Sequence, residues 1–181
     1  DEIMRVTNPK NIICSISGLR EGSLSIDYFK DVKDSEIFHK ALENVAKKRG
    51  DLGSNYKKYY DFIQPVFEGN EHFNKKLLYL ACVLSHMDWG LGAFQKAELV
   101  FQETINTPLL RLTHKERIQL ALSCYWRYCS IKYNPKMEYL TFLNNNEIFS
   151  SKQVGAALRF SQSLTSISTI FLEEFKLYKR G

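Results

Sequence analysis

Three kinds of feature are scarce or missing in this chain of 181 residues, and each absence disfavours a class of protein. The four cysteines form no CxxC pair and have no patterned histidines, which disfavours a structural zinc site. No apolar run reaches the length of a membrane-spanning helix. The glycine-rich loops that cradle nucleotide phosphates (GxxxxGKS/T and GxGxxG) and the GxSxG turn of esterases are also missing.

The cysteines lie in apolar stretches, so we expect them to be small core residues. Their low number predicts a reduced, cytoplasmic location. The chain begins with Asp1 rather than Met, and no signal-peptide pattern follows. We therefore expect a fragment or a processed piece of a longer protein.

Cations exceed anions, 25 against 20, which gives a net charge of +5. The apolar share of 44% is ample for a buried core, which excludes a mainly disordered chain. The cations concentrate in residues 40–58 and 111–136, where aromatic residues are interspersed with them. These two basic stretches fit a track for a polyanion, a surface for RNA or nucleotides, or solvated helix faces.

The spacing of apolar residues changes from strand-like to helical near residue 30. A short strand at residues 11–16 and a turn bracketed by Gly18 and Gly22 precede the change. Helical spacing and capping residues then predict helices over 34–50, 54–67, 74–87, 94–104, 113–129, 137–143 and 150–164.

Details of these helices can be predicted as well. The helix over 74–87 is apolar nearly all round and should be buried, and Thr113 with Glu116 forms a capping box. Residues 144–146 are predicted as a polar turn, with Ser150 and Ser151 capping the last long helix. After Ser168 the apolar residues alternate, which predicts a closing strand.

One short polar group at the end of the apolar helix could carry chemistry. His86 and Asp88 fit a metal-binding or phosphate-binding pair, but polar residues at helix ends are usually caps, which favours the interpretation that they satisfy a helix end. Ser85, His86 and Asp88 cannot form a catalytic triad, because neighbouring residues on one helix point in different directions.

The segment Ser17–Gly22 (SGLREG) resembles the SGxGLREG signature of the Ppx/GppA phosphatases, the exopolyphosphatases and guanosine pentaphosphate phosphohydrolases. Residues 75–89 and 156–164 are similar to two helices of the alphaproteobacterial branch of that family. The resemblance implies a mainly α-helical, HD-domain-like bundle over 31–167. It also implies that residues 1–30 are a strand-and-turn remnant of an actin-like domain and that 168–181 are a strand or tail.

The same resemblance implies a division of labour. In the family, Mg²⁺-dependent phosphate hydrolysis takes place in amino-terminal actin-like domains, and the helical domain extends the polyanion channel and supports a homodimer. The expected partners are therefore polyphosphate or guanosine pentaphosphate and the chain's own actin-like domains, without membrane or nucleic acid. The alternative is a structural and dimerisation module that does not touch substrate.

The resemblance also implies which residues serve these roles. The metal-ligand positions of HD phosphohydrolases fall on Ser54, Ser85, His86 and Gln162, a set that lacks the ligands, so no metal and no catalytic residue are expected here. Arg159, on an apolar helix, fits either a buried ion pair or the channel. The predicted polyanion contacts are Arg20, Lys57, Lys58, Arg127 and Arg159.

Overall fold

The computed structural model describes residues 2–10, 18, 23, 40, 42–47, 55–69, 73–86, 90–109, 112–133, 137–165 and 170–178. The chain divides into two compact units, residues 1–37 and 38–181. Within the described ranges the structure is mainly helical and contains no strand, which confirms the predicted mainly α class. The predicted boundaries after residues 30 and 167 stay predictions.

In the first unit, the described part is chiefly one exposed helix, α1, at Glu2–Thr7. Arg5 pairs with Glu2 at 2.6 Å across one turn of this helix. Asn8 follows with a positive φ of 39°, a backbone conformation that asparagine tolerates at helix ends. The predicted strand at 11–16 and nearly all of the predicted glycine turn lie outside the described residues.

In the second unit, residues 42–47 are helical and Leu42 is buried, as the predicted apolar stripe requires. The other elements are α2 at Tyr56–Ile63, a 3-10 turn at Gln64–Phe67, α3 at Lys75–Leu84, α4 at Ala93–Asn106, α5 at His114–Tyr128, α6 at Met137–Leu140, α7 at Asn145–Leu164 and α8 at Phe171–Glu174. None of the helices in the described ranges has the length and apolar character to cross a bilayer.

Two predicted helix starts are confirmed by their capping hydrogen bonds. The side chain of Asn74 accepts from the backbone N–H of Lys76 at 3.0 Å, which begins α3. At α5 the backbone N–H of Glu116 donates to Thr113 Oγ1 at 3.2 Å, and the Glu116 carboxylate accepts from the Thr113 N–H at 2.8 Å. The sequence signals work here because both caps satisfy otherwise unpaired N–H groups.

The predicted start of the last long helix is wrong. Asn144 caps α7, because its side chain accepts from the Glu147 N–H at 2.9 Å while the Glu147 carboxylate accepts from the Asn144 N–H at 2.7 Å. Ser151, predicted as a cap, is buried inside the helix and donates to the Glu147 carbonyl at 2.9 Å. Asparagine followed three residues later by glutamate forms a reciprocal cap, which outweighs the preference of Asn145 and Asn146 for turns.

The predicted closing strand is wrong over Phe171–Glu174, which forms the short helix α8. Residues 175–178 have no regular secondary structure. Leu172 is buried against the core of the second unit, while Phe175 is exposed. Alternation of apolar residues is not enough to predict a strand, because a strand also needs a neighbouring strand for its backbone hydrogen bonds. In Phe171–Glu174 the helix satisfies backbone groups within the segment itself.

Helix α5 lies between two apolar clusters. Leu120 and Cys124 face the first, which includes most of α3 together with residues of α2 and α7. Ala121, Tyr125 and Trp126 face the second, with residues of α4 and α6. Helix α3 is buried nearly all round, as predicted, and both helices therefore form the centre of this unit.

Helices α3, α5 and α7 run in the same direction. At their starts Asn74 bonds to Glu116 at 3.2 Å, and Lys115 approaches Glu147 at 4.0 Å. At their ends Arg127 of α5 bonds to Ser85, just after α3, and to Gln162 of α7. This common direction brings three helix carboxyl ends to one place, where α2 also contributes Tyr59.

Helix α7 approaches α5 closely at Gly155. A Cβ atom at this position would lie 2.6 Å from Trp126 Cβ and 2.9 Å from the Ser123 carbonyl oxygen, both closer than normal contacts. We predict that Gly155→Ala lowers the free energy of unfolding by about 1–3 kcal/mol despite the better helix propensity of alanine, because the two helices must move apart.

The matched control is Gly90→Ala, since a Cβ at Gly90 meets open space. Its free energy of unfolding should change by no more than about 0.5 kcal/mol. Urea unfolding followed by circular dichroism measures both variants. Equal stability of the two variants would contradict the close approach of α5 and α7.

Candidate functional site

A cluster of polar side chains lies in the second unit at the carboxyl ends of α3, α5 and α7. Arg127 lies in the last turn of α5 and its side chain is buried, at 3% exposure. It follows Leu120 and Cys124 at helical spacing, so it belongs to the buried face of α5. The fold therefore places a guanidinium group inside the bundle, where it needs partners.

Among the described residues, three neutral side chains accept hydrogen bonds from Arg127, two just after α3 and one in α7. Its Nη1 donates to Ser85 Oγ at 2.5 Å. Its Nη2 donates to His86 Nδ1 at 3.2 Å and also to Gln162 Oε1. Because an arginine cannot accept a hydrogen bond, His86 Nδ1 is the acceptor and is unprotonated in this arrangement.

Two aromatic rings complete the surroundings of the guanidinium. The Arg127 Cζ atom lies 5.9 Å from the ring centre of Tyr59 and 5.5 Å from that of Tyr128. The hydroxyl of Tyr128 donates to the Ser85 carbonyl at 2.7 Å, and the hydroxyl of Tyr59 bonds to Thr165 Oγ1 at 2.8 Å. The Tyr59 ring also meets the His86 ring edge-on, with 5.0 Å between centres. We call Arg127, Ser85, His86, Gln162, Tyr59 and Tyr128 the arginine cage.

The electrostatics of the arginine cage are unusual, because within the described residues no carboxylate pairs with Arg127. Three helix carboxyl ends, each with partial negative charge, meet around the guanidinium and favour a cation there. The neighbouring thiol of Cys82 is fully buried, and burial raises its pKa, while the positive charge of Arg127 opposes that rise. Within the described part of the chain, the favourable electrostatic surroundings of Arg127 therefore consist of neutral acceptors and helix ends.

The donor set of the arginine cage does not fit a divalent metal ion. The set has only one strong ligand, an imidazole nitrogen, beside a neutral hydroxyl and an amide oxygen, and a cation already lies among them. Within the described parts of the chain, no three His, Cys, Asp or Glu side chains gather as metal ligands. Ser54 and Asp88, which the sequence analysis also considered, lie outside the described residues.

A second arginine of the 111–136 stretch is also internal. Arg117 is 4% exposed and donates to the carbonyl oxygens of Thr107 and Leu109, the latter at 3.0 Å. Burial lowers its pKa. Two of the cations in this basic stretch therefore hold the fold together rather than facing solvent. Their helical spacing relative to apolar neighbours was the signal that the sequence analysis missed.

The predicted polyanion contacts occupy different environments. Lys57 is exposed, and Lys58 is paired with Glu173 at 2.8 Å. Arg159 is exposed and donates to the Cys129 carbonyl at 2.7 Å, so the buried-ion-pair alternative for it is wrong. Arg127 is buried, and its role as a phosphate contact stays a prediction that would require displacing its internal partners. Arg20 lies outside the described residues.

The aromatic residues of the basic stretches are used largely in packing. Tyr56 and Tyr60 each meet the ring of Tyr79 edge-on, at 5.2 and 5.1 Å between centres. Burial raises the pKa of Tyr79, and a hydrogen bond with Tyr56 adds to the rise. Tyr125 and Trp126 are fully buried. The ring of Tyr133, in the second stretch, is by contrast 51% exposed, so the RNA-binding alternative stays a hypothesis.

Comparison with known proteins gives no family assignment: no family model matches the chain, and no curated protein matches it either.

We predict that Arg127→Met lowers the free energy of unfolding by about 3–5 kcal/mol. The change leaves the Ser85 hydroxyl, the Gln162 amide oxygen and His86 Nδ1 without their shared donor inside the protein. Urea unfolding at pH 7 measures the loss.

Arg159→Met is the matched control, since it removes the same charge from an exposed side chain with one carbonyl partner. It should cost no more than about 1 kcal/mol. Similar losses in the two variants would show that the arginine cage carries no special share of the stability.

Proposed function

We propose that this chain is the carboxyl-terminal, HD-like helical part of a Ppx/GppA phosphatase that binds and positions a condensed phosphate. The substrate is polyphosphate or guanosine pentaphosphate in the cytoplasm, and the same part supports a homodimer. Hydrolysis belongs to actin-like domains that use Mg²⁺, with residues 1–30 as the remnant of one of them. This helical part holds no metal and does not cleave the phosphate chain by itself.

One observation carries this proposal. The resemblance assigns the neighbouring residues Ser85 and His86, and the distant Gln162, to the metal-ligand positions of HD phosphohydrolases. In the structure their side chains all bond to one group, the Arg127 guanidinium. This convergence of the three positions is what an HD-like arrangement of the helices requires, and it is the support for the proposal. A resident cation at the centre of a lost metal site supports a binding role in place of a catalytic one.

The exposed cations are the proposed contacts with the phosphate chain. Lys57 and Arg159 are open to solvent, and Lys58 is partly exposed beside Glu173. A linear polyanion without bases needs such spaced positive charges and no stacking surface. We assign Arg127 a positioning role, since it ties α7, which carries Arg159, to the end of α5.

The alternative is a structural and dimerisation module that does not contact substrate. The burial of Arg117 and Arg127 favours this alternative, because neither arginine is at the surface where a polyanion track would need it. The two functions differ in a measurable way. A binding domain must show an affinity for polyphosphate that depends on individual surface cations, and a structural module must not.

The test is a titration of long-chain polyphosphate into the chain and its variants at low and moderate salt, with released phosphate measured in the same samples. We expect binding that weakens steeply with salt and no phosphate release. Lys57→Gln should weaken binding and reduce the slope of log K against log salt by about 1, as the loss of one phosphate contact does.

Lys75→Gln is the control, since Lys75 is also an exposed helix lysine but lies outside the two basic stretches. It should leave the affinity nearly unchanged. Absence of binding at low salt would leave the structural module as the better explanation. Equal effects of the two substitutions would point to diffuse charge attraction without a defined site.

A further inference from the structure

The segment after α7 lies against α2, at one of the predicted phosphate contacts. Lys58 Nζ is 2.8 Å from Glu173 Oε1 in α8. Beside this ion pair is a cleft of about 520 Å³ between α2 and residues 172–178. Lys58 and Asp61 line it from α2, and Glu173 and Lys176 line it from the other side. We call residues 170–178 the C-terminal clip.

In the C-terminal clip, the buried residue Leu172 anchors the segment and so keeps the carboxylate of Glu173 beside Lys58. Leu172 is buried at 5% exposure, and Leu177 packs against the same core cluster at its edge. Glu173 follows the anchor directly, so its carboxylate stays near Lys58 at the high effective concentration of a tethered group. An anion from solution must compete with the carboxylate of Glu173 for Lys58.

The ion pair itself is exchangeable. The side chains of Lys58 and Glu173 are 40% and 58% exposed, so water and salt screen their attraction. A phosphate chain presents several charges to the same surface, whereas Glu173 presents one. The adjacent Lys57 is exposed, with no carboxylate of the described residues paired to it. The clip therefore occupies one member of a lysine pair and leaves the other open.

We propose that the C-terminal clip is an autoinhibitory contact, in which Glu173 occupies Lys58 and lowers the affinity of this surface for condensed phosphate. The inference rests on the proposed function, because it concerns the same lysines. It adds a regulatory element that the phosphate chain must displace, with Leu172 as its anchor. Loss of the Glu173 charge should then strengthen binding through Lys58 alone.

The test compares Glu173→Gln with Glu174→Gln in titrations of long-chain polyphosphate at low and moderate salt. Both variants change the net charge equally, and both residues are exposed in α8, but among the described cations none pairs with Glu174. We expect Glu173→Gln to bind about twofold to fivefold more tightly than Glu174→Gln, the factor that corresponds to one exposed ion pair. The salt slope should steepen by about 1, since one more cation becomes available.

Lys58→Gln provides the second arm. In a Lys58→Gln background, Glu173→Gln should bind no more tightly than Glu174→Gln, because the lysine for which Glu173 and phosphate compete is gone. Equal affinities of the two single variants, or a gain that persists without Lys58, would overturn the autoinhibitory contact while leaving the proposed function intact. Absence of polyphosphate binding by the wild type and by every variant would overturn the proposed function and this inference together.

Discussion

The buried guanidinium of Arg127 is the interaction on which the end of the helical bundle depends. A charge inside a protein must be neutralised or hydrogen-bonded, and here the partners are a serine, a histidine and a glutamine from the helices on either side of α5. The common direction of α3, α5 and α7 makes this arrangement favourable, because three helix carboxyl ends supply partial negative charge around one cation. Tyr59 and Tyr128 close the cage and link it to α2.

This constraint also divides the cations of the chain by role. Arg117 donates hydrogen bonds to backbone carbonyls inside the protein, and Arg127 donates to side chains there. Both arginines are buried along α5. Lys57 and Arg159 remain at the surface, and Lys58 is shared with Glu173. A proposed phosphate-binding surface must therefore be built from fewer charges than the sequence contains. The affinity of such a surface for phosphate would depend on each remaining cation. A single carboxylate of the same chain, such as Glu173, could then change that affinity.

Much of the fold could be predicted from the sequence where local chemistry decides the structure. The Thr113–Glu116 capping box and the apolar character of α3 each lead to the observed element. The start of α7 was misplaced because Asn144 and Glu147 form a reciprocal cap within a run of asparagines that also suits a turn. The arginine cage could be predicted only in part. The sequence analysis named Ser85, His86 and Gln162 only as positions without metal ligands, and their common partner depends on which face of α5 is buried, which tertiary packing decides.

The most direct test of the account is a double-mutant cycle between Arg127 and Gln162, using Arg127→Met, Gln162→Leu and the double variant, with free energies of unfolding from urea titration. If the arginine cage is one coupled unit, the double variant should lose less stability than the sum of the single losses, with a coupling energy of at least about 1 kcal/mol. The double variant leaves one unsatisfied acceptor fewer than Arg127→Met alone, because the Gln162 amide oxygen is removed as well. Losses that add within about 0.5 kcal/mol would show that the two residues act independently. That result would contradict the central place given to the buried guanidinium.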